Sequence, residues 1–301
     1  MRIGRMMGAG RPETLDDLVA QAQAAEAAGL SSVWLANIFG FDAIGALAVV
    51  GRETSRVELG TAVVPTYPRH PVTMAQQALT TQAASGGRFV LGLGLSHQIV
   101  IETMLGLSYS RRASHMREYL EVIEPLLRGE PASFSGDEYR VQAGLRVPGA
   151  DPVPVLVAAL GPAMLKLAGS RTAGTITWMT GPKTLETHTI PGINAAAEAA
   201  GRAAPRVVAG LPIALTNDPA AAREIAAKVF EVYGGLPSYR AMLDREGAAG
   251  PADVAIVGDE SALESQLGQL VDIGVTDFLA SPIPADPGAV ERTLAFLANR
   301  S

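Results

Sequence analysis

The chain alternates short, nearly all-apolar runs with longer stretches whose apolar residues recur at helical spacing. Arg2–Met7, Ser32–Asn37, Val57–Val64 and Arg88–Leu95 are runs of the first kind. Pro154–Leu160, Thr175–Met179, Val207–Leu215 and Thr276–Ile283 repeat the pattern in the second half. Such runs, bounded by turn-forming residues, predict buried strands. Between them, Leu15, Leu18, Val19, Ala22 and Ala25 predict a helix to about Ala28, capped by Thr14 and stopped by Gly29. Further helices are predicted over Asp42–Glu53, Val72–Ala84, Arg112–Arg128, Pro162–Arg171, Thr184–Gly201, Ser261–Ile273 and Asp286–Asn299, the last with Pro287 at its first position. Less regular stretches predict a short helix at Glu102–Leu107, a hairpin at Ser133–Val141, and a helical segment Pro219–Glu246 broken at Gly234, Gly235 and Pro237.

Eight strands alternating with helices imply a parallel sheet, because parallel strands need crossover connections. Strands that are apolar on both faces are strands covered on both faces. The predicted fold is therefore an α/β (β/α)8 TIM barrel, with an open doubly wound sheet as its competitor. A single domain spans 1–301, with an insertion after strand four over roughly 97–153 and a helical excursion over roughly 217–252.

Composition narrows the function. The chain has 301 residues, of which 48% are hydrophobic and 18% charged, which excludes disorder for its bulk. The net charge of −6, without a block of like charge, lacks the basic stripe that phosphates require, so no nucleic-acid partner is expected. There is no cysteine, which excludes disulfides, thiol nucleophiles and cysteine-ligated metals. No apolar run approaches the ~18 residues of a membrane span, nor does the N-terminus carry the apolar core of a signal peptide. The expectation is a cytoplasmic protein with no membrane partner.

In such barrels the chemistry sits at the C-terminal ends of the strands. His97 stands at the end of strand four, where an imidazole could transfer a proton near neutral pH or merely bond backbone. His70 lies in a proline-rich loop and is read as a pocket wall or a plain turn residue. His115 reads as structural and His188 as a solvated helix residue. No histidine pair has metal-ligand spacing, so no metal is expected. The glycine-rich stretches Gly8–Glu13 and Gly92–His97 both lack the third glycine of a dinucleotide fingerprint. Gly92 and Gly94 either admit a planar ligand or allow tight packing inside the barrel. The strand running into Gly161 and Pro162 offers backbone N–H groups at a helix start, an arrangement that binds anions, and Thr180 and Gly181 offer a second set. Two such places suit a phosphate-bearing cofactor that carries its own chemistry.

Five segments, GLSSVWLANIF, RVELGTAVVP, HPVTMAQQALTTQAASGGRFVLGLGLS, ALGPAMLKLAGSRTAGTITW and VAIVGDESALESQLGQLVDIGVTDF, together resemble the luciferase-like monooxygenase superfamily, closest to its actinobacterial oxidoreductases dependent on coenzyme F420. The resemblance implies a deazaflavin lying across the strand ends, held by Asn37, Ala62, Val63, Leu95, Ser96, His97, Leu160, Gly161, Ala163 and Met164, with Thr180 added from the strand-six end. It implies a non-prolyl cis peptide at Ala62-Val63 or one residue to either side. It also implies hydride transfer between the deazaflavin C5 and a small organic substrate, with His97 as proton donor or acceptor and Asn37 as a polar anchor. Tyr67 and His70 would form the substrate wall. FMN with oxygen is the alternative cofactor, and a non-catalytic ligand-binding barrel is the third reading. Two departures matter. The family's Ser-Asp-His-Phe is Ala36-Asn37-Ile38-Phe39 here, so its histidine is Ile38, which cannot ionise. Relatives that oxidise sugar phosphates carry an acid at the position of His97 and a lysine near Pro182, where only Lys183 is close. A neutral or weakly polar substrate is therefore expected, and a homodimer formed through helices 72–84 and 112–128.

Overall fold

The computed structural model describes residues 1–8 and 14–300. Most of the Gly8–Glu13 stretch therefore lies outside the described residues. Eight parallel strands form the wall of a barrel: β1 (Arg2–Met7), β2 (Ser32–Leu35), β3 (Glu58–Thr61), β4 (Phe89–Gly94), β5 (Val155–Val157), β6 (Gly174–Trp178), β7 (Arg206–Leu215) and β8 (Asp277–Pro282). Each pairs with its successor, and β8 pairs with β1, so the sheet closes into a barrel. Closure excludes the open doubly wound sheet.

The outer layer contains α1 (Leu15–Ala27), α2 (Ala43–Glu53), α3 (Pro71–Ala84), α4 (Arg112–Leu127), α5 (Pro162–Arg171) and α6 (Ile190–Ala199). After β7 come α7 (Pro219–Val229), a short helix Glu231–Gly235, and α8 (Pro237–Glu246). Then follow α9 (Glu260–Asp272) and α10 (Ala289–Ala298). The expected hairpin is formed by Ala132–Ser135 and Arg140–Ala143. Buried Glu118 of α4 ties its tip down, accepting from the backbone N–H groups of Asp137, Glu138 and Tyr139.

The inward faces build a core of their own. Trp34, Val90, Leu156, Ile176, Val208 and Leu279 fill the barrel, so it is a packed interior rather than a pore. Trp34 is fully buried, its indole N–H donating to Ser32 Oγ at 2.8 Å. It fits because Gly4 and Gly60, on the strands to either side, place no side chain against its ring. At the N-terminal end, Arg206 bonds Asp277 and Glu58 and lies over the Trp34 ring, closing the floor. No helix among the described residues is long and apolar enough to cross a membrane.

Three elements differ from the sequence reading. The last helix starts at Ala289 behind Gly288, whose φ of +79° makes it the cap, so Pro287 precedes the helix rather than opening it. The turn expected at Glu102–Leu107 begins earlier, as a π-helical turn over Ile99–Met104. A three-residue strand, Ile256–Gly258, pairs with the outer part of β7, too short a run to register as a strand in the apolar pattern.

Candidate active site

The C-terminal ends of the strands converge on a small cleft of about 60 Å³. Met6 of β1, Ala62 and Val63 after β3, Ala158 and Leu160 after β5, and Ile176, Thr177 and Trp178 of β6 line it, with Leu279 of β8 and Tyr239 of α8. The lining is apolar apart from Thr177, the Trp178 indole N–H and the Tyr239 hydroxyl. A wider depression of about 660 Å³, open to solvent, lies outside the barrel between α9 and α10. Its two arginines are already spent, Arg292 on Asp286 and Arg300 on Glu264. The barrel mouth, where strand ends meet, is the better candidate.

The mouth is shaped at β3. The Ala62-Val63 peptide is cis, at the first of the positions the resemblance implied. The chain then resumes as Val64–Pro65 alongside β4. Gly92 and Gly94 explain why the bulge fits: a Cβ on Gly92 would collide with the Thr61 carbonyl, and one on Gly94 would press on Val63 and touch Ala158. Of the two readings of these glycines, tight packing is the one observed. They admit the Val63 side chain, and Val63, not glycine backbone, faces the cleft.

His97 follows Ser96, which adopts a left-handed φ of +62° while its carbonyl accepts from the Tyr109 hydroxyl at 2.7 Å. That turn carries His97 away from the strand. The imidazole is half-buried and its ring lies 5.5 Å from that of Tyr239. Burial holds its pKa below the ordinary 6.5, which favours the neutral ring. Burial in turn raises the pKa of Tyr239, which stays a hydroxyl donor.

The other predicted residues separate into three groups. Ala62, Val63 and Leu160 meet in the cleft. Leu95 packs against the main core just before His97. The Leu160 carbonyl is fixed by His188, which donates from Nε2 at 2.8 Å, so His188 is a clamp on the mouth rather than a solvated residue. Gly161 caps α5 with Pro162 behind it; no side chain caps the helix, and no acceptor among the described residues takes the N–H groups of Ala163 and Met164. This helix start is open to an anion.

Asn37, Tyr67 and His70 belong to the loops at the β2–β3 side of the mouth. Asn37 Oδ1 accepts from Ala43 N at 3.0 Å and from Arg69 at 3.2 Å, which holds the start of α2 against the β3 loop. Arg69 is in turn paired with Asp42 at 2.6 Å. Tyr67 donates to the Ser110 carbonyl and stacks on His115 at 3.9 Å, and burial pushes its pKa up to about 12. His70 is exposed and caps α3, its Nδ1 accepting from Val72 N.

The second set of donors expected at Thr180 and Gly181 is not open. Thr180 is buried and its hydroxyl bonds the Trp178 carbonyl. The amides that follow, Lys183 N and Thr184 N, are taken by the carboxylate of Glu246, at 3.1 and 2.7 Å. Sequence reasoning missed Met6, Trp178, Tyr239 and Glu246. Trp178 could have been found as the last residue of its strand, whereas Tyr239 and Glu246 reach the mouth only because α8 folds back over it. No group of His, Asp and Glu among the described residues is arranged to hold a metal.

Comparison with known proteins gives the family and the fold. The family model for luciferase-like monooxygenases matches residues 1–277. A 5,10-methylenetetrahydromethanopterin reductase from Methanolobus tindarius is 28% identical over 292 residues, covering 87% of this chain and 89% of the relative. An F420-dependent glucose-6-phosphate dehydrogenase from Amycolatopsis mediterranei is 34% identical over 219 residues, covering 67% of this chain and 65% of the relative. Among solved structures, the coenzyme F420 dependent tetrahydromethanopterin reductase from Methanopyrus kandleri superposes with a TM-score of 0.82 at 23% identity, covering 99% of this chain and 97% of the other, a likeness of fold.

Proposed function

Because the chain belongs to the luciferase-like monooxygenase family, we propose that it is an oxidoreductase dependent on coenzyme F420, acting on a small, uncharged organic substrate. The observation that carries this reading is the open start of α5 beside the cleft. The unclaimed N–H groups of Ala163 and Met164 offer two donors and a positive helix end to a phosphate. The adjoining cleft, walled by the aliphatic side chains of Ala62, Val63, Ala158 and Leu160, presents an apolar surface to the face of a flat ring. A Cβ on Gly161 would meet no atom within 4 Å, so the space in front of that helix end is clear. The residues present fit the group.

When bound, the deazaflavin supplies hydride chemistry at C5. Everything else falls to the chain. His97, neutral at physiological pH because it is partly buried, is the proton acceptor for a hydroxyl-bearing substrate and, once protonated, the donor in the reverse direction. Tyr239 and Trp178 wall the substrate side and exclude water. Asn37 and Arg69 brace the β2 and β3 loops against one another. Arg69 is neutralised by Asp42, so it exerts little pull on an anionic substrate.

Titration of the purified protein with F420, followed by deazaflavin fluorescence, should show saturable binding much tighter than that of FMN. Tighter binding of FMN, or of neither, would overturn the assignment. Replacement His97→Ala should leave F420 binding intact and lower turnover by about 10²–10⁴-fold, the usual contribution of a positioned acid–base group.

A further inference from the structure

β4 ends at Gly94, whose carbonyl accepts from Thr66 N, and two residues later the chain turns out of the sheet. The turn is made at Ser96, whose φ of +62° is a left-handed conformation that any side chain makes costly. A residue held there needs surroundings that enforce it. Among the described residues no backbone N–H donates to the Ser96 carbonyl. A side chain does: the Tyr109 hydroxyl, 13 positions further along, at 2.7 Å. The residue that follows this turn is His97, whose ring lies 5.5 Å from that of Tyr239.

Tyr109 is itself fixed from several sides. Its ring lies 5.3 Å from that of Tyr67 and carries the Arg112 guanidinium over its face at 5.6 Å. Its backbone N–H donates to Glu102, whose other carboxylate oxygen accepts from the Gln98 side chain. The Tyr67 hydroxyl holds the carbonyl of Ser110, the next residue along. Burial raises the Tyr109 pKa, so the phenol stays a donor. The segment from His97 to Tyr109 is thus closed into a loop by one hydroxyl, and the closing bond falls on the residue before the imidazole. On the other side the His97 carbonyl accepts from Val100 N and Ile101 N. With Ser96 held as well, the backbone is fixed on both sides of the His97 side chain.

We propose that Tyr109 is the positioning residue for His97: its hydroxyl holds Ser96 in the left-handed turn and thereby aims the imidazole into the mouth. The inference rests on the reading of His97 as the acid–base group and adds what orients it. Tyr109 acts through the backbone of Ser96, not on the reacting atoms. Without the hydroxyl, Ser96 relaxes toward negative φ, and the His97 side chain swings from its half-buried berth toward water. Burial is the cause that depresses the His97 pKa, and the ring facing it from α8, Tyr239, is uncharged. The place of the imidazole is therefore readable in its own titration, since a ring that leaves the berth regains an ordinary pKa.

Magnetic resonance titration of the His97 ring, assigned by its loss in His97→Ala, measures this without a substrate, in F420-loaded and in unloaded protein. In the wild type the ring should titrate below 6.5. Tyr109→Phe removes only the hydroxyl and keeps the ring between Tyr67 and Arg112, so no packing is lost. Its His97 should titrate near 6.5. Modification of the same imidazole by diethyl pyrocarbonate at mildly alkaline pH, read by mass spectrometry, should quicken on the order of fivefold, the population shift that one lost hydrogen bond permits. Adding Ser96→Gly to Tyr109→Phe should return both readings most of the way, because glycine adopts the left-handed turn without cost. A general loosening of the loop would not be repaired at position 96. A His97 that titrates and reacts in Tyr109→Phe as in the wild type would overturn the proposal, as would a double variant no nearer the wild type than Tyr109→Phe. The underlying readings fail separately: absence of F420 binding strikes the cofactor assignment, and full turnover in His97→Ala strikes the proton-transfer role, while the titration of His97 still decides what orients it.

Discussion

His115 lies buried beneath the β3 loop, its Nε2 2.9 Å from the Thr66 hydroxyl and its ring stacked on Tyr67. Burial outweighs the attraction of nearby Glu118 and lowers its pKa to about 4. A histidine with a depressed folded pKa binds fewer protons folded than unfolded, so its contribution to stability is complete above the unfolded value of 6.5 and is lost as pH falls toward 4. Denaturation measured across that window should show a loss of about 3 kcal/mol attributable to this residue. In His115→Gln the slope over the same window should flatten by that amount; an unchanged slope would assign the acid sensitivity elsewhere. Its place inside a helix, beside Arg117 and Glu118, pointed to His115 as structural. Nothing local indicated that His188, also on a helical stretch, would clamp the Leu160 carbonyl 28 positions away. A side chain's polarity tells that it needs a partner, not which one.

Helix boundaries were the most legible elements. Thr14 and Asp17 form a reciprocal cap at the start of α1, Asp42 caps α2 by accepting from Gly45 N, and Pro162 takes the first position of α5. These signals are local, since a cap acts on amides two or three residues ahead. The tie at the other end of α1 is not local. Glu26 accepts from the N–H groups of Ser55, Arg56 and Val57 and from the Ser55 hydroxyl, bracing the turn that leads into β3. Burial works to raise its pKa, but the bonds from Val57, Arg56 and Ser55 together outweigh it and hold the carboxyl at about 2. The carboxylate thus contributes stability above pH 4.5 that is lost as pH falls toward 2. Glu26→Gln should cost about 1 kcal/mol at neutral pH, discounted for its exposure to water, and the cost should vanish near pH 2. A variant equal to the wild type at pH 7 would show that the turn holds itself. The π-helical turn at Ile99–Met104 was misplaced for a related reason: its phase is set by the His97 carbonyl, which accepts from both Val100 and Ile101 N–H, and not by an apolar period.

For the whole molecule, the barrel separates a stabilising end from a chemical end. At the floor, Arg206 joins Glu58 and Asp277, with Arg2 at the rim of the cluster, and Asp277 is almost wholly buried. Its partners raise the Arg206 pKa against burial, so the guanidinium stays charged throughout. Arg206→Ala would leave buried Asp277 with the Thr276 hydroxyl and, as its cation, only the longer contact to Arg2, and should lower stability by about 3–5 kcal/mol in urea unfolding. F420 affinity should be unchanged in the folded fraction, because the cluster sits at the opposite end of the strands from the cleft. A parallel loss of cofactor affinity would show that the two ends are coupled.

The sequence by itself determined the eight strands, nearly all the helices, the closing rhythm of the barrel and the loops that form its mouth. Burial and backbone direction are written in local periodicity, and parallel strands joined by helices leave few ways to close. It also indicated the start of α5, where glycine and proline announce an open helix end. Only the tertiary structure decided what fills the other helix start, that α8 lies over His97, and that β3 and β7 share Arg206 across 148 positions of chain. Those pairings are choices among chemically equivalent partners. They are settled by which surfaces the closed barrel brings together, which no window of sequence contains.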